Sequence, residues 1–112
     1  MPRIFHFIPE SDLAKFLSDV ELRVPSLETQ GFIHCSTAGQ VTQIATGIMP
    51  GRNDLLLLEI DESKVIPKII YENLEEGKKL FPHIYGPLNK DAIIRAHPFQ
   101  WDDLTGYRFP EL

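Results

Sequence analysis

Residues 31 to 41 read GFIHCSTAGQV, and the reading of this stretch decides the fold. Phe32 and Ile33 lead into four consecutive positions that bear chemistry: His34, Cys35, Ser36 and Thr37. On a strand, alternate residues share a face, so His34 and Ser36 point together and Cys35 points away. Cys35 then reads as a small core residue rather than a nucleophile. Thr37 and Gln40 stand in the spacing of a capping box, and Val41, Ile44, Ala45 and Ile48 continue a 3.6-residue apolar period. The stretch therefore predicts a strand running into a helix that Met49-Pro50-Gly51 ends. A helix start offers N–H groups and a positive dipole end to an anion or phosphate. Plain capping by Ser36 and Thr37 would satisfy the same groups.

Upstream, Arg3 to Ile8 (RIFHFI) is β-branched and aromatic, which predicts a strand with His6 in its middle, ended by Pro9. Ser11 stands where it would cap a helix, and Leu13, Phe16, Leu17 and Val20 supply its apolar face. Val24 to Leu27 reads as a loop or short turn. Downstream, Asp54 to Asp61 (DLLLLEID) is too short for a buried helix between such breakers. It predicts a central strand covered on both faces, with Leu56 and Leu58 on one and Leu55 and Leu57 on the other. Strands are also expected at Val65 to Glu72, Pro82 to Tyr85, Ile93 to Phe99 and Tyr107 to Phe109, with a turn at Trp101 to Asp103. Asn73 to Lys79 reads as a charged, exposed connection. Two main helices, both in the N-terminal half, among short strands argue an α+β class rather than alternating α/β.

The chain has 112 residues, which predicts a single domain over 1–112. Hydrophobic residues make up 43% and charged residues 24%, enough to bury a core. Net charge is −5 and the basic residues are scattered, with only Lys78 and Lys79 adjacent. A nucleic-acid partner is therefore not expected, since phosphate-backbone binders gather Lys and Arg on one surface. The one cysteine excludes an internal disulfide. No charged-then-apolar leader opens the sequence, and the longest apolar run, Leu55 to Leu58, is far short of a membrane span. A soluble cytoplasmic protein is expected.

Three histidines, His6, His34 and His83, sit in apolar strand segments beside breakers. Each alone would pass for a histidine held by a backbone carbonyl; three together suggest a cleft. His97, next to Pro98, reads as structural or exposed. His83 and Tyr85 share a strand face within residues 81–88, FPHIYGPL, where Gly86 allows close approach of another backbone or a ligand. There is no H-x-x-x-H, no H-E-x-x-H and no cysteine pair, so no metal site is expected. A nucleophile elbow and a glycine-rich phosphate loop are also missing.

GFIHCST with Gln40, LLLLEID, Tyr71-Glu72, and FPHIYGPL followed by Asp91-Ala92 together resemble the bacterial family catalogued as domain of unknown function 952. The resemblance runs over nearly the whole chain. That family is similar to a compact ADP-ribosyltransferase fold, which also includes RNA 2′-phosphotransferases. The resemblance implies a split, mostly antiparallel sheet with a nucleotide cleft. Its first motif would be Ile4-Phe5-His6 and its second Phe32 to Ser36. Its third, where transferases of this fold often carry a glutamate that holds a ribose hydroxyl, would fall at His83. A histidine brings no fixed negative charge there.

The expected function is binding of NAD or a related small-molecule nucleotide, with ADP-ribosyl or phosphate transfer as the chemistry within reach. His34 and His83 would act as acid/base groups or contact phosphate, and His6, Ser36, Thr37 and Tyr85 would hold the ligand. Two competing expectations are a non-catalytic small-ligand binding module and a metal-dependent hydrolase built on the histidines.

Overall fold

The computed structural model describes residues 2–73 and 79–112, so most of the expected charged connection after Asn73 lies outside the described residues. In chain order the elements are β1 (Arg3–Pro9), α1 (Glu10–Phe16), β2 (Glu21–Leu22), α2 (Ser26–Thr29) and β3 (Ile33–His34). Then come α3 (Val41–Ile48), β4 (Leu55–Asp61), β5 (Lys68–Glu72), β6 (Phe81–Tyr85) and β7 (Leu88–Asn89). β8 (Ile93–Phe99), β9 (Trp101–Asp102) and β10 (Gly106–Tyr107) follow, with 3₁₀ turns at Glu62–Lys64 and Lys90–Ala92. The result is an α+β arrangement of antiparallel pairs. One sheet has the order β1-β4-β8, a second β3-β6-β5, and two small ribbons pair β2 with β7 and β9 with β10.

The four leucines of β4 explain the layering. Leu58 and Ile60 pack on one face of the first sheet with Ile4, Ile8, Ile33, Ile84 and Leu88, and Leu56 lies against the same cluster. Leu55 and Leu57 pack on the other face with Phe5, Phe99 and Tyr107 and with Val41 and Ala45 of α3. A strand between two others, with apolar layers above and below, must be apolar on both sides, as DLLLLEID predicts. Leu57 and Leu58 are fully buried. At Gly106, with φ +83°, a Cβ would lie 2.7 Å from the Thr46 Oγ1, so glycine lets the β9–β10 ribbon close on α3.

Several elements depart from the sequence expectation. α1 begins at Glu10, with Pro9 as N-cap and no side-chain cap, because Pro9 stays paired to Leu55 in the sheet. It ends at Phe16, since Leu17 turns extended and bridges to Leu22. Leu13, Phe16 and Leu17 reach the core, but Val20 is left 68% exposed. At residues 24–27 the short turn forms: Pro25, with φ −57°, sets up the single turn α2, which adds a third helix to the two main ones expected. α3 starts at Val41 rather than beside Thr37, and only half of the capping box forms, with the Thr37 N–H donating to the Gln40 side chain at 3.1 Å. Trp101–Asp102 is not a turn but pairs with Gly106–Tyr107. At Gly86 an added Cβ would lie 3.0 Å from the Pro67 side chain, so the close approach glycine allows there is to Pro67. Among the described residues no helix is long and apolar enough to cross a membrane.

Candidate functional site

The segment after Phe32 belongs to both sheets. Ile33 and His34 pair with Ile84 and His83 of β6, and the Cys35 N–H donates to the Pro82 carbonyl at 3.0 Å. One residue later the partner changes: Ser36 and Phe5 of β1 exchange two backbone bonds of 2.8 Å each. Beyond Phe5, β1 stays with β4 while β3 stays with β6, so the sheets fork at this point. In an antiparallel ladder, backbone groups of alternate residues point to opposite neighbours. Phe5 faces Ser36, so the Phe7 N–H and C=O also turn away from β4, toward the fork.

A cleft of about 840 Å³ opens at the fork. His6 sits at its root, with Nδ1 2.5 Å from the His34 carbonyl oxygen. A carbonyl only accepts, so Nδ1 carries the proton and the neutral ring leaves Nε2 as an acceptor. Burial pushes the His6 pKa below its ordinary value and nearby His34 pushes it the same way, against the hydrogen bond.

The second sheet supplies the cleft's polar wall. Residues directly opposite in a ladder share a face, so His34, His83 and Ile70 project together. Glu72 lies two positions along β5 from Ile70, on the same face. Its Oε1 accepts from the Tyr85 hydroxyl and from His83 Nδ1 at 3.2 Å. These hydrogen bonds, that of Tyr85 foremost, hold the Glu72 carboxyl below the usual range, and the same bond raises the Tyr85 hydroxyl. The rings stack in depth: Phe32 lies parallel to His83 at 4.1 Å, with His34 edge-on to His83 at 5.4 Å. His34 Nε2 also bonds the Gln30 side chain. Opposite this wall the lining is apolar, with Phe7, Phe16, Ile44, Ile48 and Met49.

Four of the residues singled out from sequence, His6, His34, Ser36 and His83, line this one cleft. Tyr85 stands behind them, packed on Phe32 at 5.2 Å, with its hydroxyl donating to Glu72. Thr37 is spent in the turn before α3 and is not part of the lining. The helix start is likewise absent from the lining; α3 presents Ile44 and Ile48 instead, so the expected anion seat behind Ser36 does not form part of the cleft. Cys35 belongs to the core cluster, and burial raises its thiol well above the ordinary value. Among the described residues no three His, Cys, Asp or Glu side chains are grouped to hold a metal ion.

Glu72 is the residue that reading the sequence missed. The signal was a lone carboxylate closing the strand-like run Ile69-Ile70-Tyr71. The register that sets it beside His83 exists only once β5 and β6 pair.

A forked pair of antiparallel sheets, with three histidines and a glutamate at the fork, defines the class: an α+β domain with a polar cleft between its sheets. The chain belongs to the family described as "Protein of unknown function (DUF952)", which it matches over residues 7–96. It is similar to the crystal structure of protein CC0527 from Caulobacter crescentus, with a TM-score of 0.82 at 20% identity, over 95% of this chain and 93% of that one. The solution structure of CC0527 is also similar, with a TM-score of 0.78 at 22% identity, over 96% and 91% of the two chains. At this identity the likeness concerns the fold. No curated protein matches the chain.

Proposed function

We propose that the cleft binds NAD or a related nucleotide by its base-and-ribose end, with transfer of the ribosyl group as the chemistry within reach. The observation that carries this reading is Glu72. An ionised carboxylate, oriented by Tyr85 and His83, stands on the cleft wall where sequence reasoning had found only a histidine. The fixed negative charge that such chemistry wants is thus supplied from β5, beside β6.

The donor set fits a ribosylated heterocycle. A carboxylate accepts from ribose hydroxyls. The Phe7 N–H and C=O, turned toward the fork, match the acceptor and donor of a carboxamide. Partly exposed aromatic rings offer apolar cover for a base. The ligand, when bound, would supply a glycosidic bond whose cleavage develops positive charge at the ribose carbon. Glu72 stabilises that charge, and His6 Nε2 or His34 takes the proton of an incoming hydroxyl.

The test is a melting panel with NAD, ADP-ribose and nicotinamide, because a ligand that prefers the folded chain raises its melting temperature. NAD or ADP-ribose should stabilise the wild type. His34→Ala should abolish that response and leave the ligand-free melting temperature nearly unchanged, since the side chain is exposed. If His34→Ala melts much lower alone and still responds to ligand, His34 is architecture and this reading of the cleft is wrong. Stabilisation by NAD without release of nicotinamide would identify a binding module rather than a transferase.

A further inference from the structure

The charges around the cleft are one-sided. Asp12 and Glu72 line it, and among the described residues no Lys or Arg does. Arg52, the cation of the loop before β4, is committed to Asp54 at 2.8 Å. Phosphate sites are built from Arg, Lys or helix N-termini, and the start of α3 does not line the cleft. Among the described lining residues three histidines, His6, His34 and His83, are the remaining sources of positive charge. His6 is held toward its neutral form by burial. His83 gives its Nδ1 to a carboxylate that already outweighs it. A pyrophosphate carries two negative charges, and beside two carboxylates in a partly enclosed space it meets repulsion that no Lys or Arg among the described lining residues offsets.

A cationic ring meets the opposite. Glu72 offers a fixed negative charge, and Phe7, Phe16 and Phe81 line the cleft with partly exposed rings. Aromatic faces and a carboxylate together attract a planar cation.

We infer that the part of the ligand this cleft recognises is phosphate-free: an N-ribosylated aromatic heterocycle carrying positive charge, with any phosphate left outside in solvent. This rests on the nucleotide reading above and narrows it. The substrate class shifts from dinucleotides to ribosyl-pyridinium-like nucleosides, and the anchor is Glu72.

Titration calorimetry of the whole chain with nicotinamide riboside, NAD and ADP-ribose separates the two claims. Nicotinamide riboside should bind at least as tightly as NAD, and ADP-ribose should bind at least about tenfold more weakly. Glu72→Gln should weaken the riboside by about tenfold and change ADP-ribose little. Its melting curve, taken in parallel, shows whether the variant is folded; if it is not, Asp12→Asn is measured in its place, with a smaller loss in the same direction. If NAD or ADP-ribose binds about tenfold more tightly than the riboside, phosphate is recognised and this inference falls while nucleotide binding stands. A folded carboxylate variant that binds the riboside as the wild type does also overturns it. If none of the three ligands binds, the nucleotide reading and this inference fall together.

Discussion

His97 with Glu59 and His83 with Glu72 are the same chemical pair in two settings. His97 Nε2 lies 2.9 Å from Glu59 Oε1, and Arg3 Nε closes the other oxygen at 2.8 Å. Glu59 is 4% and His97 6% exposed, on the paired strands β4 and β8. That pair is complete: the charge is buried and answered by a cation and a ring, and nothing approaches it. Among the described residues Glu72 has no such cation. It takes a phenol and a ring nitrogen, and stands at the end of a short strand facing a cleft of about 840 Å³. A buried, fully paired carboxylate contributes to the integrity of the fold, whereas a carboxylate paired from one side and open on the other is placed to act on something that is not yet there. The sheets differ accordingly. β1, β4 and β8 each run seven residues, while β3 runs two before its partner changes.

Four measurements break or sharpen this contrast. The largest effect belongs to the closed sheet: Leu57→Ala should cost about 2–5 kcal/mol by denaturant titration, as a cavity at the centre of a packed strand. A cost well under about 1 kcal/mol would make β4 a tolerant edge and remove the basis for calling this sheet the rigid one. Next comes the closed pair. His97→Ala leaves a buried glutamate oxygen without its partner and should cost about 1–3 kcal/mol, read from the same titration. The open pair should respond differently. Glu72→Gln should shift the ligand-free melting temperature far less than His97→Ala does, while removing ligand-induced stabilisation. If both substitutions destabilise the apo protein equally, the two pairs are structural alike and the cleft loses its functional anchor.

The smallest effect is a pH slope. The folded pKa of His6 lies below its unfolded value of about 6.5, so the stability tied to its neutral form is complete above that pH. It is lost as the pH falls through about 6.5 toward the lower folded value. Melting temperature should therefore decline gently on acidification in that window, and the decline should flatten in His6→Gln. Glu72 titrates elsewhere: its folded value is depressed, so its contribution holds above the ordinary carboxyl range and is lost only as pH falls through the lower folded value. An unchanged slope in His6→Gln would mean that another group governs stability near neutrality.

Local pattern made much of this legible. Four leucines between breakers could only be a strand buried on both faces, and both faces are packed as that predicts. Alternation put Cys35 in the core, as expected, although it reaches the cleft lining alongside His34 and Ser36. Helix ends were less legible. Ser11 and Thr37 had the chemistry of caps, but the sheet holds Pro9 in register and a turn consumes Thr37, so tertiary pairing overrode local preference. The single turn α2 is too short to leave a periodic signal.

The sequence by itself determined which segments are apolar, where the chain breaks, and that three histidines sit on strand-like stretches, because those are properties of neighbours a few residues apart. Only the tertiary structure decided which histidines meet, that Glu72 joins His83 from eleven residues away, and that His97 is matched across 38 residues by Glu59. Register between strands is set by how whole faces pack, and a shift of one residue would have turned Glu72 to the other face of its strand, so the local signal of a lone carboxylate at a strand end could not say that it meets His83.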